Sequence, residues 1–170
     1  MWLILKEKLN TLDLLAHKKI SQVENCVFCD IVCESSHYLF VECYYTNFIW
    51  DSIKQELQIT ESPKSMLKVW TSWRQTYVKS DVMIEWDKFV VTVCWFLWSE
   101  RNNRIFSRKY RSNVALYASI NSYIAFWLAN LPKKKWKTFV RSRMKARAGR
   151  KDVEQVQHGA AADNCSDRAE

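Results

Sequence analysis

Two glycines and two prolines in 170 residues leave this chain almost without the punctuation that turn-dense folds require. All-β folds built on tight turns are disfavoured, and glycine-rich phosphate loops of the Walker or dinucleotide type are excluded. Hydrophobic residues make up 48% of the chain, including 9 Trp, 7 Tyr and 8 Phe, which is enough for a packed core in one ordinary domain. The expectation is a mainly α protein.

Apolar spacing places the helices. Residues 2–20 carry Leu5, Leu9, Leu12 and Leu15 at helical intervals, with Asn10 or Thr11 available to cap a second short helix from near Leu12. In YYTNFIWDSIKQEL (44–57), Tyr45, Phe48, Ile49, Ile53 and Leu57 form one stripe and Thr46 is a candidate N-cap. Pro63 breaks the pattern, and residues 65–78 resume it through Leu67, Trp70, Trp73 or Arg74, and Tyr77. From Asp81 to Phe106 no Gly or Pro intervenes, so this run reads as the longest helix; a strand over the β-branched and aromatic VVTVCWF is its rival. Residues 112–131 put Leu116, Ile120, Ile124, Trp127 and Leu131 on one face. Three asparagines and three serines, in a stretch barely the ~20 residues a bilayer demands, favour a buried helix over a membrane span.

Between these helices lies CVFCDIVCESSHYLFVEC, residues 26–43, with four cysteines and one histidine. The apolar run Trp2–Leu5 is shorter than the ~7–15 residues of a secretory signal, so a reducing nuclear or cytoplasmic setting is expected. Clustered thiols there point to metal binding or to plain buried thiols rather than to disulfides. Cys26-x-x-Cys29 supplies half of a tetrahedral zinc site, because two intervening residues let the chain turn and aim both sulfurs at one ion. The other half must come from among Cys33, His37 and Cys43. On one unbroken helix His37 and Cys43 would lie ~9 Å apart along the axis, so a helix starting near Ser35 must end before Cys43. The expected zinc ligands are Cys26, Cys29, His37 and Cys43, with Cys33 as the alternative to one of the last two. In the competing reading Cys33 and Cys43 are ordinary half-buried thiols and His37 is a surface residue. The fold expected is thus a small helical domain with a short Cys/His zinc-knuckle-like loop inserted between helices.

The run from Cys26 to Trp50 resembles the zinc-binding domain that follows the reverse transcriptase in plant non-LTR (LINE-type) retrotransposons. The residues carrying the resemblance are Leu9, Thr11 and Leu15, then Cys26, Cys29, Glu34, Ser35, Leu39, Phe40, Cys43 and Trp50. WFLWSERNNRIF (95–106) further resembles the Trp-x-x-Trp-x-x-Arg-Asn segment that often trails that domain. The resemblance implies zinc as cofactor. One position departs: the family pattern CxxC-x8-His-x4-Cys places Tyr38 where its histidine belongs, and the histidine here is one place earlier, at His37. Because that domain usually begins some tens of residues before the position of Trp2, the resemblance implies a truncated, divergent copy.

The chemistry of the rest is sparse. No Asp-Asp pair occurs to hold the two metal ions of a polymerase, and no carboxylate cluster suits RNase H chemistry, so no enzyme is expected. Cys94, inside an apolar run without a neighbouring histidine, reads as a core thiol. Glu100 and Arg104, four apart on a helix, read as an exposed pair of small worth, and Trp95, Trp98, Asn102 and Ile105 as a core-facing seam.

The net charge of +8 is concentrated. Residues 133–151 hold ten Lys/Arg and no acid, leaving −2 on the other 151 residues. Lys133, Lys134, Lys135, Lys137, Arg141, Arg143, Lys145 and Arg147 are the candidate contacts to RNA or DNA. The expected organisation is a zinc-binding segment over residues 1–60, a helical region over 61–132, a basic arm over 133–151 and a disordered tail over 152–170. The expected function is a non-catalytic zinc-binding remnant of a retrotransposon polyprotein that binds nucleic acid weakly, with no small-molecule substrate. The alternative is a metal-free helical interaction domain whose basic arm meets acidic protein or a membrane surface.

Overall fold

The computed structural model describes residues 1–57, 59–77 and 83–129. Seven α-helices occur among them: α1 (Trp2–Leu5), α2 (Leu12–His17), α3 (Tyr44–Leu57), α4 (Met66–Lys68), α5 (Arg74–Tyr77), α6 (Met83–Ser107) and α7 (Asn113–Ala129). Two π-helical turns, Tyr38–Glu42 and Val69–Trp73, lead into α3 and join α4 to α5. The protein is mainly α, as the scarcity of Gly and Pro implies, and no strand occurs among the described residues. VVTVCWF is helical, inside the 25-residue α6.

Helix starts follow capping chemistry. The Ser65 hydroxyl accepts from the Lys68 amide at 3.2 Å and starts α4 just after Pro63. Thr11 is the N-cap residue of α2, but the charged cap comes from afar: Glu34 Oε1 accepts from the Leu12 amide at 3.0 Å. Thr46, a candidate cap by sequence, lies within α3 and donates its hydroxyl back to the Leu39 carbonyl at 2.7 Å.

One hydrophobic cluster runs from Ile4 to Ile124 and takes in both the cysteine segment and the long helices. At its centre Trp50, Trp73 and Trp86 meet, with ring centroids 6.0 Å (Trp50–Trp73) and 6.5 Å (Trp73–Trp86) apart. Helix α7 packs on α3 and α6 through buried Leu116, Ile120 and Ile124, the stripe its periodicity predicts. No helix among the described residues is long and apolar enough to cross a membrane.

Several faces differ from expectation. Helix α6 buries Trp86, Val90, Val93, Leu97 and Arg101, whereas Trp95 stands 66% exposed. Both sides of α6 carry large apolar side chains, so periodicity alone could not rank them. In α4 Met66 is buried and Leu67 faces out, because the helix begins at Met66 against α1, and Val69, first residue of the following π turn, is buried. On α3 Phe48 sits at the rim while Trp50 is fully buried.

Candidate metal centre

The cysteine segment is a short knuckle closed by an antiparallel bridge between Asn25 and Cys33. The Cys26 amide donates to the Val32 carbonyl at 2.8 Å, and the Cys26 carbonyl accepts from the amides of Cys29 (3.2 Å) and Asp30 (2.7 Å). Asp30 takes φ 58°, the left-handed conformation that Asp and Asn tolerate best among side-chain-bearing residues. This reversal turns Cys29 back toward Cys26.

Cys43 arrives from the other side. Ser35 caps the next helical turn, its Oγ accepting from the Tyr38 amide at 3.0 Å. The chain then widens into the π turn Tyr38–Glu42, in which the Cys43 amide donates to the Tyr38 carbonyl at 2.9 Å. Residues five apart are thereby brought onto one side of the turn. The helix ends at Cys43, whose ψ of 133° is extended, and α3 starts immediately after it. Trp50 holds the turn from α3, its Nε1 donating to the Phe40 carbonyl at 2.7 Å, beside the Thr46 bond to Leu39.

The Sγ atoms of Cys26, Cys29 and Cys43 all lie within 4.8 Å of one another, and Cys26 and Cys43 Sγ are 3.9 Å apart. A tetrahedron with Zn–S bonds of ~2.3 Å has edges of ~3.8 Å, so the three sulfurs stand where one zinc ion would collect them. Cys26 and Cys43 are fully buried and Cys29 is half-buried. The three sulfurs fit the ion in softness and spacing and supply three of the four donors of a tetrahedral site.

Electrostatics grade the thiols. Cys26 donates to Cys43, and that hydrogen bond, with burial, raises the Cys26 pKa. The same bond lowers the pKa of Cys43, helped by the Tyr45 and Thr46 amides at the start of α3 and opposed by burial. Cys43 therefore loses its proton before Cys26, as a thiol at a helix N-terminus does.

The sequence candidates divide. Cys26, Cys29 and Cys43 converge. Cys33 is exposed on the far side of the knuckle, with Sγ 3.8 Å from Glu24 Oε2. His37, expected as the fourth ligand, is not in the cluster; its Nε2 lies 3.1 Å from Glu42 Oε1 at the surface. Successive helical residues point ~100° apart, so with Tyr38 turned inward its neighbour turns out. Tyr38 Oη sits 3.3 Å from Cys29 Sγ. The basic residues Lys133, Lys134, Lys135, Lys137, Arg141, Arg143, Lys145 and Arg147 lie outside the described residues.

Residues 1–50 match the family model described as zinc-binding in reverse transcriptase. The match contains all three converging cysteines and Trp50, and it ends inside α3. No curated protein and no solved structure matches the chain. What is matched is a zinc-binding accessory segment rather than a polymerase domain. Its zinc assignment and the Cys26, Cys29 and Cys43 geometry agree on a metal-holding cluster.

Much of what positions this zinc-binding segment comes from α6, beyond the matched residues. Arg104 Nη1 donates to the Val27 carbonyl, inside the CxxC loop, at 3.1 Å, and its guanidinium lies over the Phe28 and Tyr45 rings at 4.9 and 4.5 Å. Glu100, read from sequence as one half of an exposed pair, is fully buried. It accepts from Arg104 Nε at 3.0 Å and from the Arg111 amide and Nε at 2.9 and 2.8 Å. Burial alone would raise the Glu100 pKa, but these bonds outweigh it and lower it. Tyr45, whose hydroxyl donates to the Arg111 carbonyl at 2.9 Å, is pushed up to about 12 by burial and by Glu100, so it stays a neutral donor. The sequence signals for this layer are the four-residue spacing of Glu100 and Arg104 and the Trp-x-x-Trp-x-x-Arg-Asn resemblance, whose arginine is Arg101.

Proposed function

We propose that this chain is a non-catalytic zinc-binding module, akin to the segment that follows the reverse transcriptase in plant LINE-type retrotransposons, and that its basic segment 133–151 contacts RNA or DNA weakly. The observation that carries the metal half is the convergence of three sulfurs within 4.8 Å, inside the residues matched as zinc-binding. Bound zinc supplies a structural cross-link whose binding free energy adds to folding.

The chain's own residues do the rest. Cys26 and Cys29 present two sulfurs from a loop that Arg104 clamps at Val27, and Cys43 presents the third from the start of α3. The cluster thereby ties the knuckle to the central helices. Support for the nucleic-acid half is the ten Lys/Arg without an acid in residues 133–151, a charge density that attracts polyphosphate through counterion release.

The test is the zinc content of the purified full chain beside Cys26→Ser/Cys29→Ser. Stoichiometric zinc in the parent and none in the variant is expected; equal, near-zero zinc in both rejects the metal reading. Filter binding to single-stranded RNA and DNA at low and raised salt tests the second half. Affinity should fall steeply with salt and weaken in Lys133→Gln/Lys134→Gln/Lys135→Gln, whereas a flat response rejects it.

A further inference from the structure

Three converging sulfurs leave one vertex of a zinc tetrahedron to be filled, and the side chain beside it is a tyrosine. We propose that the Tyr38 hydroxyl oxygen is the fourth donor of the metal centre, giving a three-cysteine, one-tyrosine site. This rests on the zinc-binding reading above and assigns the ligand which that reading leaves open.

The geometry is direct. Tyr38 Oη lies 3.3 Å from Cys29 Sγ, close to the ~3.5 Å edge between a sulfur and an oxygen that share one zinc ion. The π turn that carries Tyr38 ends at Cys43, and the Cys43 amide closes it on the Tyr38 carbonyl at 2.9 Å. The residue delivering the oxygen and the residue delivering the third sulfur are thus held by one hydrogen-bonded ring. No other side chain lies so placed among the candidates, since His37 is paired with Glu42 and Cys33 faces Glu24.

On coordination the phenolic O–H bond breaks, the oxygen lone pair goes to the ion, and the proton leaves to solvent together with the thiol protons. A hard oxygen beside three soft sulfurs is a weaker structural set than three cysteines and an imidazole, so the site should hold zinc and cobalt less tightly than its histidine-bearing version.

Cobalt(II) is the probe, added to the reduced full chain and to Tyr38→Phe, Tyr38→His and His37→Ala. Thiolate-to-cobalt charge-transfer bands report the three sulfurs, and the visible d–d bands report the fourth ligand. Expected results are a changed d–d envelope and about tenfold or greater loss of cobalt affinity in Tyr38→Phe with the charge-transfer bands retained. Tyr38→His should shift the envelope again and bind more tightly than the parent, and His37→Ala should match the parent. Parent-like spectrum and affinity in Tyr38→Phe overturn the proposal while leaving the three-thiol site standing. A shifted envelope in His37→Ala overturns it in favour of the imidazole. Should Tyr38→Phe lose its helical circular dichroism, Tyr38→His decides alone, and a parent-like envelope there is fatal. Absence of cobalt bands in the parent itself sinks both this assignment and the metal reading beneath it.

Discussion

Arg101 on α6 donates twice to Glu34 Oε1 in the knuckle, from Nε at 3.1 Å and Nη2 at 2.8 Å, across 67 residues of chain. Both side chains are essentially sealed from solvent, at 2% and 0% exposure. The same carboxylate oxygen accepts from the Leu12 amide, and Arg101 Nη2 also reaches the Asn10 carbonyl at 3.3 Å. One ion pair therefore joins α2, the knuckle and α6. It explains why a glutamate follows the cysteine loop and why an arginine belongs to the tryptophan-rich segment far downstream.

Breaking that pair should cost far more than a surface pair would. Removing one partner leaves the other charged and buried, which typically costs about 3–5 kcal/mol. Glu34→Ala and Arg101→Ala should each lower the urea midpoint strongly. The double variant should be less destabilised than the two single effects added together. Equilibrium unfolding with the three variants measures this, and simple additivity would show that the two side chains do not act as a unit.

Arg104 acts on the metal loop without being a ligand. It holds the Val27 carbonyl and covers Phe28, so its loss frees the turn that aligns Cys26 with Cys29. Arg104→Ala should weaken zinc about tenfold in competition with a chromophoric chelator, within the range seen when supporting residues of metal sites are removed. Arg104→Lys keeps the charge but not the planar fork, and it should recover little.

Glu100 makes stability depend on pH. Its folded pKa lies below the ordinary value of 4.5, because hydrogen bonds from Arg111 and Arg104 outweigh the burial that would raise it. The unfolded chain consequently binds the proton first as pH falls. The stabilisation from this carboxylate is complete above the unfolded pKa and is lost as pH drops through the lower folded one. Urea midpoints of the parent measured from about pH 6 to pH 3 should fall more steeply than those of Glu100→Gln, which lacks the titrating group. Parallel curves would remove Glu100 from the account.

Cys33 and Cys43 should behave as opposites. Cys33 is exposed and faces Glu24, whereas Cys43 is fully buried at the head of α3 with its sulfur in the cluster. Cys33→Ser should retain the parent's zinc content and melting temperature. Cys43→Ser should lose the metal and melt at lower temperature. Elemental analysis with thermal denaturation before and after chelation checks both.

Sequence alone determined the parts whose causes are local. Scarce Gly and Pro leave helices as the default wherever the chain packs; α6 follows from the absence of breakers, and α7 from its apolar residues three and four apart. The two-residue gap between Cys26 and Cys29 specifies a turn that aims both sulfurs one way. A helix break before Cys43 is expected so that His37 and Cys43 can share an ion; the break is present, but His37 is not in the cluster. The identity of the side chain beside the three sulfurs was decided elsewhere. It depends on a π turn that rotates Tyr38 inward and His37 outward, and that turn is held by Trp50 and Thr46 from the next helix. The buried roles of Glu34, Glu100, Arg101 and Arg104 were likewise decided by tertiary packing. A charged residue reads as solvent-facing until a partner and a core around both make its burial tolerable: the four-residue interval gave the Glu100–Arg104 pairing but not its burial, and Glu34 and Arg101, 67 residues apart, have no interval at all.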